Sequence, residues 1–305
     1  MPAKDLLFVA LTLTLAGYLF VFVRGLRAAG TRVAPTPAQL GIGFITNFFD
    51  TLGIGSFATT TAFYKLRQMM SVKLIPGTLN VGHAGPTILQ AYIYTRIVPV
   101  DSITLVLMIA AAVIGSWLGA GVVVRWPRRK IQVGMGFALL GAASLMLMQQ
   151  LQLIPGGGEA LALTGGRLLF GLAGNFVLGM LMMLGIGLYA PCMILIYLLG
   201  MAPIAAFPIM MGSCAFLMPV SSIKFVKEQS FHPQAALGLA VGGLPAVLIA
   251  AFVVRSLPLS AVRWLVVFVV IYTAANMLMT ARNEEPEIAD FTGRVTSSAN
   301  NPSDS

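Results

Sequence analysis

Between Leu6 and Thr280 the chain is a series of apolar runs, most of them about as long as a helix that crosses a lipid bilayer, separated by short stretches that hold most of the charge. Lipid offers backbone N–H and C=O groups no partner, so such runs must close their hydrogen bonds internally, as helices. Charged residues make up only 10% of the chain. A soluble domain has roughly 25%. The sequence therefore predicts an all-α polytopic membrane protein. The formal charge of +9 does not call for nucleic acid, because the basic residues sit in loops between apolar runs and set membrane orientation instead. Cys192 and Cys214 both lie in apolar runs and read as small core residues, not as a disulfide or a metal site. The 17 methionines read as packing, with no His or Cys beside them at ligand spacing. No metal and no cofactor is expected.

The first run, Leu6 to Val23, is followed rather than preceded by its basic residues, Arg24, Arg27 and Arg32. That is the reverse of a secretory signal, so it is expected to stay as a helix with its N-terminus outside. Residues 1–37 form this helix and a basic linker. The segment from Ala38 to Leu66 is different. Helical throughout, it would run ~45 Å, too long for a ~30 Å hydrocarbon core. Its middle, from Thr46 to Phe57, holds Asn47, Asp50, Thr51, Gly53, Gly55 and Ser56. A break over Asp50–Ser56 gives two pieces of about a dozen residues, each too short to cross alone. Further runs follow at about Pro76–Tyr94, Ser102–Val124, Ile131–Leu151, Leu168–Leu199, Ala202–Val220, Pro233–Val254 and Ala261–Thr280.

Leu52-Gly53-Ile54-Gly55 recurs as Leu184-Gly185-Ile186-Gly187, an offset of 132 residues, and Phe44, Ala58, Leu66 and Pro76 find their like at the same offset. Chance likeness among apolar residues explains a shared four-residue string and a later proline less well than duplication does. Orientation follows from the basic residues. If each broken segment enters and leaves on one side, fourteen of the 19 share a face, while Lys4, Arg96, Arg167, Arg255 and Arg263 share the other. If each broken segment spans, the faces hold nine and ten. Positive-inside bias favours the first arrangement. The expected architecture is two inverted repeats with seven transmembrane helices and two re-entrant helical hairpins. The first repeat is 38–153, a Gly-rich linker 154–167, the second repeat 168–282, and 283–305 a disordered tail. The N-terminus is periplasmic and the C-terminus cytoplasmic.

A hairpin tip brings one helix C-terminus and one N-terminus to the membrane centre. The second helix starts with unpaired N–H groups and the positive end of its dipole. Two such tips facing each other would hold a small anion without a buried lysine or arginine. Pro191 suits the first turn of the second leaving helix. The plainer alternative is that the glycines only permit tight packing.

Gly41-Ile42-Gly43-Phe44 through Gly53-Ile54-Gly55-Ser56-Phe57, with Gly185-Ile186-Gly187 before Pro191, resembles the TauE/SafE (TSUP) sulfite exporter family over roughly residues 38–281. The resemblance implies a bacterial inner-membrane protein that exports a small sulfur-containing anion such as sulfite, thiosulfate, sulfoacetate or another organosulfonate. Its partners would be that anion and the lipid bilayer; a homo-oligomer is left open. Leu188 stands opposite Ser56 and Cys192 opposite Thr60, so the site need not be symmetric.

Each candidate side chain has a plainer role. Asp50 relays a proton or caps a helix end; beside an anion it repels unless protonated. Asn47 and Asn175 donate to the ligand or tie each hairpin to its neighbour. Asn80 and His83 lie one turn apart on the helix after the first hairpin, with Ser213 near the matching place in the second half. His83 titrates in a useful range or simply packs. Tyr189 donates its hydroxyl to an oxyanion or sits at an interface. Thr59, Thr60 and Thr61 bond back to their helix. No nucleotide-binding loop is present, which leaves a secondary transporter. The rivals are a passive anion channel and an intramembrane hydrolase using Ser56 and His83.

Overall fold

The computed structural model describes residues 3–30, 34–153, 158–185 and 187–252, with scattered positions between 264 and 282. Most of the run at 261–280, the tail 283–305, residues 154–157 and Ile186 lie outside the described residues. Within them the chain is all-helical: α1 (Ala3–Ala28), α2 (Pro37–Thr51), α3 (Phe57–Leu66), α4 (Ile75–Ile97), α5 (Ser102–Val123), α6 (Arg128–Gln150), α7 (Gly165–Met182), α8 (Tyr189–Leu198), α9 (Ala206–Lys227) and α10 (Pro233–Phe252).

Five of these, α1, α5, α7, α9 and α10, are long and apolar enough to cross a membrane. This is a multi-pass membrane protein. Helices α4 and α6 have 23 residues each, the length of a span. Helix α4 falls outside that group because Asn80, His83, Gln90 and Arg96 dilute its hydropathy. Helix α4 is instead the centre of the packing: most of its residues, including Asn80, His83 and Gln90, are buried.

Local chemistry sets the boundaries. Thr36 and Gln39 form a capping box ahead of α2: Gln39 N–H donates to Thr36 Oγ1 at 3.3 Å, and Thr36 N–H to Gln39 Oε1 at 2.9 Å. Pro37 occupies the first turn, where its missing N–H leaves nothing unpaired. The arms of the broken segments are unequal, 15 and 10 residues in α2 and α3, 18 and 10 in α7 and α8, so the first arm of the Ala38–Leu66 segment exceeds the dozen expected. Helix α9 also runs on through Pro219 to Lys227, past the expected stop at Val220. Ser221 and Ser222 are therefore inside the helix, where both hydroxyls donate to the Met218 carbonyl at 3.0 and 2.7 Å.

The direction of each helix can be read from which residues meet. Asn47 meets His83 and Thr51 meets Tyr94, so α2 and α4 run parallel. A Cβ on Gly82 would strike Leu239, and one on Gly243 would strike Pro86, so α10 runs parallel to α4. Gly238 lies on Gln39 and Gly243 on Asn47, so α10 also runs parallel to α2. In the same way Met108 with Asn175 and Ala112 with Gly179 set α5 parallel to α7, and Gly212 with Ile109 and Ser116 with Leu217 set α9 parallel to α5. Gly77 with Phe225 and Asn80 with Ser221 make α4 and α9 antiparallel. Helix α1 opposes α4, with Phe8 on Tyr92 and Tyr18 donating to the Val81 carbonyl at 2.7 Å. Glycine seams at α2/α10 and α5/α7 let backbones touch, which is how helices gain packing energy where apolar burial offers little.

Candidate functional site

Between α2 and α3, and again between α7 and α8, the backbone turns on two glycines. Gly53 (φ 86°) and Gly55 (φ 92°) in the first bend match Gly185 (φ 85°) and Gly187 (φ 75°) in the second. All four sit in the left-handed region, where a Cβ is strained, so the repeated Leu-Gly-Ile-Gly string is a backbone requirement. The bends meet: a Cβ on Gly187 would stand 3.2 Å from the Cβ of Phe57, and one on Gly55 4.0 Å from that of Tyr189.

Between them is a cavity of about 30 Å³. It is walled by the first residues of α3 (Ser56, Phe57, Ala58), the first of α8 (Leu188 to Pro191), and Asp50, Gly55, Gly187, Thr87, Met182, Cys214 and Met218. Neither Ser56 nor Leu188, the residues that cap α3 and α8, closes its helix with a side-chain hydrogen bond. The opening turns of two helices thus present N–H groups and positive dipole ends to one space. A water needs roughly 10–15 Å³, so the cavity has room for about two or three waters, and a four-atom oxyanion enters only if the bends part slightly.

One network crosses from bend to bend. Gln90, fully buried on α4, donates Nε2–H to Asp50 Oδ2 at 2.9 Å and to Thr51 Oγ1 at 3.0 Å, and its Oε1 accepts from the Tyr189 hydroxyl at 2.6 Å. Ser56, through its hydroxyl and its backbone N–H, also faces the Asp50 carboxyl. Tyr94 donates to the Thr51 carbonyl at 2.8 Å. A second network stands behind the first bend. Asn47 Nδ2 donates to Gly43 O at 2.7 Å and to Leu239 O at 3.4 Å, so its Oδ1 is left to accept from His83 Nδ1 at 3.0 Å. That leaves His83 Nε2 as acceptor for Thr60 Oγ1 at 3.0 Å, the neutral tautomer. In the other half Asn175 Nδ2 donates to Met108 O at 2.7 Å and to Ser213 Oγ at 3.0 Å.

The residues singled out from sequence thus fall into three groups. Asp50, Gly55, Ser56, Gly187 and Tyr189 line the cavity, and Thr51 adjoins it through Gln90. Gly53 and Gly185 shape the bends from outside, against Phe207 and Met135. Asn47, His83, Asn175 and Ser213 tie hairpin to core, while Asn80, bonded to Pro76 O and Ser221, stands apart with them. The Ser56–His83 pair of the hydrolase alternative does not meet: both ring nitrogens are engaged by Asn47 and Thr60. Gln90, Thr87 and Cys214 were not foreseen as site residues. Gln90 could have been found as an isolated amide in the otherwise apolar stretch Ile88–Tyr94, because an intramembrane polar group is costly without a partner.

The bends, the small cavity between them and the polar network beside it lie inside an apolar helical shell, the arrangement of a membrane protein with its polar groups gathered where two broken segments meet. Residues 167–302 match the family model of the sulfite exporter TauE/SafE, and this second half of the chain carries the likeness to that family of membrane transporters. No curated protein and no solved structure matches the chain.

Proposed function

We propose that this protein is a secondary transporter, an exporter, of a small sulfur-containing oxyanion of the sulfite, thiosulfate or organosulfonate class. The observation that carries this reading is the convergence of the α3 and α8 N-terminal turns on one cavity, set in a chain whose second half matches the sulfite exporter family. Helix N-termini favour anions without a buried cation.

The helix directions support two inverted repeats with re-entrant hairpins. Helices α2 and α4 run parallel, which requires α3 to return to the side that α2 left. Helices α4, α2 and α10 oppose α9, α5 and α7, which is the relation of inverted copies. The same directions bring Arg27, Arg67, Lys73, Arg125 and Lys227 toward one face and Arg96 and Arg167 toward the other. The crowded face is cytoplasmic by the positive-inside rule, with the N-terminus periplasmic in the inner membrane.

Asp50 is the proton carrier in this account. Ionised, it repels an anion at the α3 tip; protonated, it admits one, so anion and proton move together. Purified protein in liposomes, challenged with sulfite, thiosulfate, sulfoacetate and sulfate under an imposed pH gradient, tests both parts. The account expects flux of at least one of the first three, driven by the gradient. Asp50→Asn should keep flux down the anion's own gradient and lose at least tenfold of the pH-driven component. Protein-independent leakage of all four refutes transport; flux indifferent to pH points to the passive channel.

A further inference from the structure

Several threonines return their hydroxyl to their own helix: Thr46 to Ile42 O, Thr51 to Asn47 O, Thr59 to Ser56 O and Thr78 to Leu74 O, all at 2.7–2.8 Å. Thr61 does not. Its Oγ1 is buried with no hydrogen-bond partner among the described residues, and so is the hydroxyl of Tyr64. Both residues are completely buried. Three positions apart on α3, they share a helix face. A Cβ on Gly185 would lie 4.0 Å from Thr61 Oγ1, so the first hydroxyl abuts the second bend. The second lies one turn nearer the end of α3, where Arg67 and then Lys73 are exposed. Two adjacent donors left unpaired in an apolar interior are costly unless they serve a passing ligand. At the repeat offset of 132 their counterparts are Met193 and Ile196, which offer no hydroxyl.

We propose that Thr61 and Tyr64 form a second binding step for a small hydrated oxyanion, between the cavity at the bends and the face that bears Arg67 and Lys73. The step lies along α3 only, because Met193 and Ile196 at the matching positions of α8 carry no hydroxyl. Hydroxyl donors without a carboxylate, ending at exposed basic residues, suit an anion and not a cation. The inference rests on the anion-transport reading, but one of its tests does not.

The test is a Thr61→Val, Tyr64→Phe double variant, which removes two oxygens and little volume, together with Thr61→Cys and Ile196→Cys probed by the anionic thiol reagent methanethiosulfonate ethylsulfonate. Expected are sulfite flux at least tenfold lower in liposomes, unchanged equilibrium sulfite binding, and a melting temperature equal to or above wild type. Thr61→Cys should react beyond the wild-type background when reagent is added on the Arg67 side, and Ile196→Cys should not react from either side. Wild-type flux in the double variant, a lowered melting temperature, or an unreactive Thr61→Cys overturns the step. If the wild-type protein moves no anion while Thr61→Cys still reacts, the hydroxyl step stands and the transport reading falls.

Discussion

A primary amide has a donor end and an acceptor end, and Gln90 uses both to join the two bends. It holds Asp50 and Thr51 of one hairpin with its nitrogen and Tyr189 of the other with its oxygen. Replacing it with leucine leaves the Tyr189 hydroxyl and one Asp50 oxygen buried with fewer partners. Each orphaned group costs ~1–3 kcal/mol. Gln90→Leu should therefore lower the melting temperature of the purified protein and uncouple the two bends, while Gln90→Asn, too short to reach both, should fall between. A Gln90→Leu variant as stable as wild type would show that the network contributes nothing. The residue scale is also where the sequence was least legible. The glycine pairs announced themselves through repetition, because a left-handed backbone restricts residue choice at both copies. Gln90 stands opposite Ser222 at the repeat offset, so no repeated residue marks it, and it lies 40 positions from Asp50, so only the packing of α4 brings them together.

At the scale of the element, helix ends decide more than helix interiors. The α5 start is held by Asp101, whose Oδ2 accepts from the Thr104 N–H at 2.8 Å and the Thr104 hydroxyl at 2.9 Å. Those hydrogen bonds hold the Asp101 carboxyl below its ordinary range. A group whose pKa is lowered on folding stabilises above its unfolded value and loses that contribution as pH falls through the folded one. Asp101→Ala should cost ~1 kcal/mol near neutral pH. In thermal melts the gap between variant and wild type should close as pH drops below the usual carboxylate range, ~3.9. A gap that persists unchanged at low pH would mean the loss is one of packing. The α3 and α8 starts contrast with this one: neither Ser56 nor Leu188 caps its helix with its own side chain, and both starts face the cavity. The breaks in both segments were legible, since Asp50 to Ser56 is a polar, glycine-bearing interruption in apolar sequence. The arm lengths were not. Capping by Thr36 and Gln39 starts α2 at Pro37 and gives it 15 residues, a boundary that apolar patterning alone does not mark.

For the whole molecule, the parallel course of α2 and α4 is the fact on which topology turns. In the proposed re-entrant arrangement Lys65, at the end of α3, and Lys73, ahead of α4, share one face, with Arg96 opposite. Single cysteines at positions 65, 73 and 96 in membrane vesicles should label from the cytoplasm, the cytoplasm and the periplasm. Labelling of 65 and 96 from the same side would break the re-entrant arrangement. The apolar runs made the all-helical, multi-pass character legible in the sequence. The way each half lays its helices against the other was not, because the α2/α10 and α5/α7 seams depend on glycines far apart in the chain.

The most direct test is to see where an anion sits. Selenite, the selenium counterpart of sulfite, scatters anomalously, and crystals of the protein grown with it would report its position without reference to transport. The account predicts a selenium peak between the opening turns of α3 and α8, within ~4 Å of the Ser56 and Tyr189 backbone nitrogens, the distance expected when N–H groups contact the oxyanion. Selenium bound only at surface lysines and arginines, with the space between the bends free of it, would contradict the account.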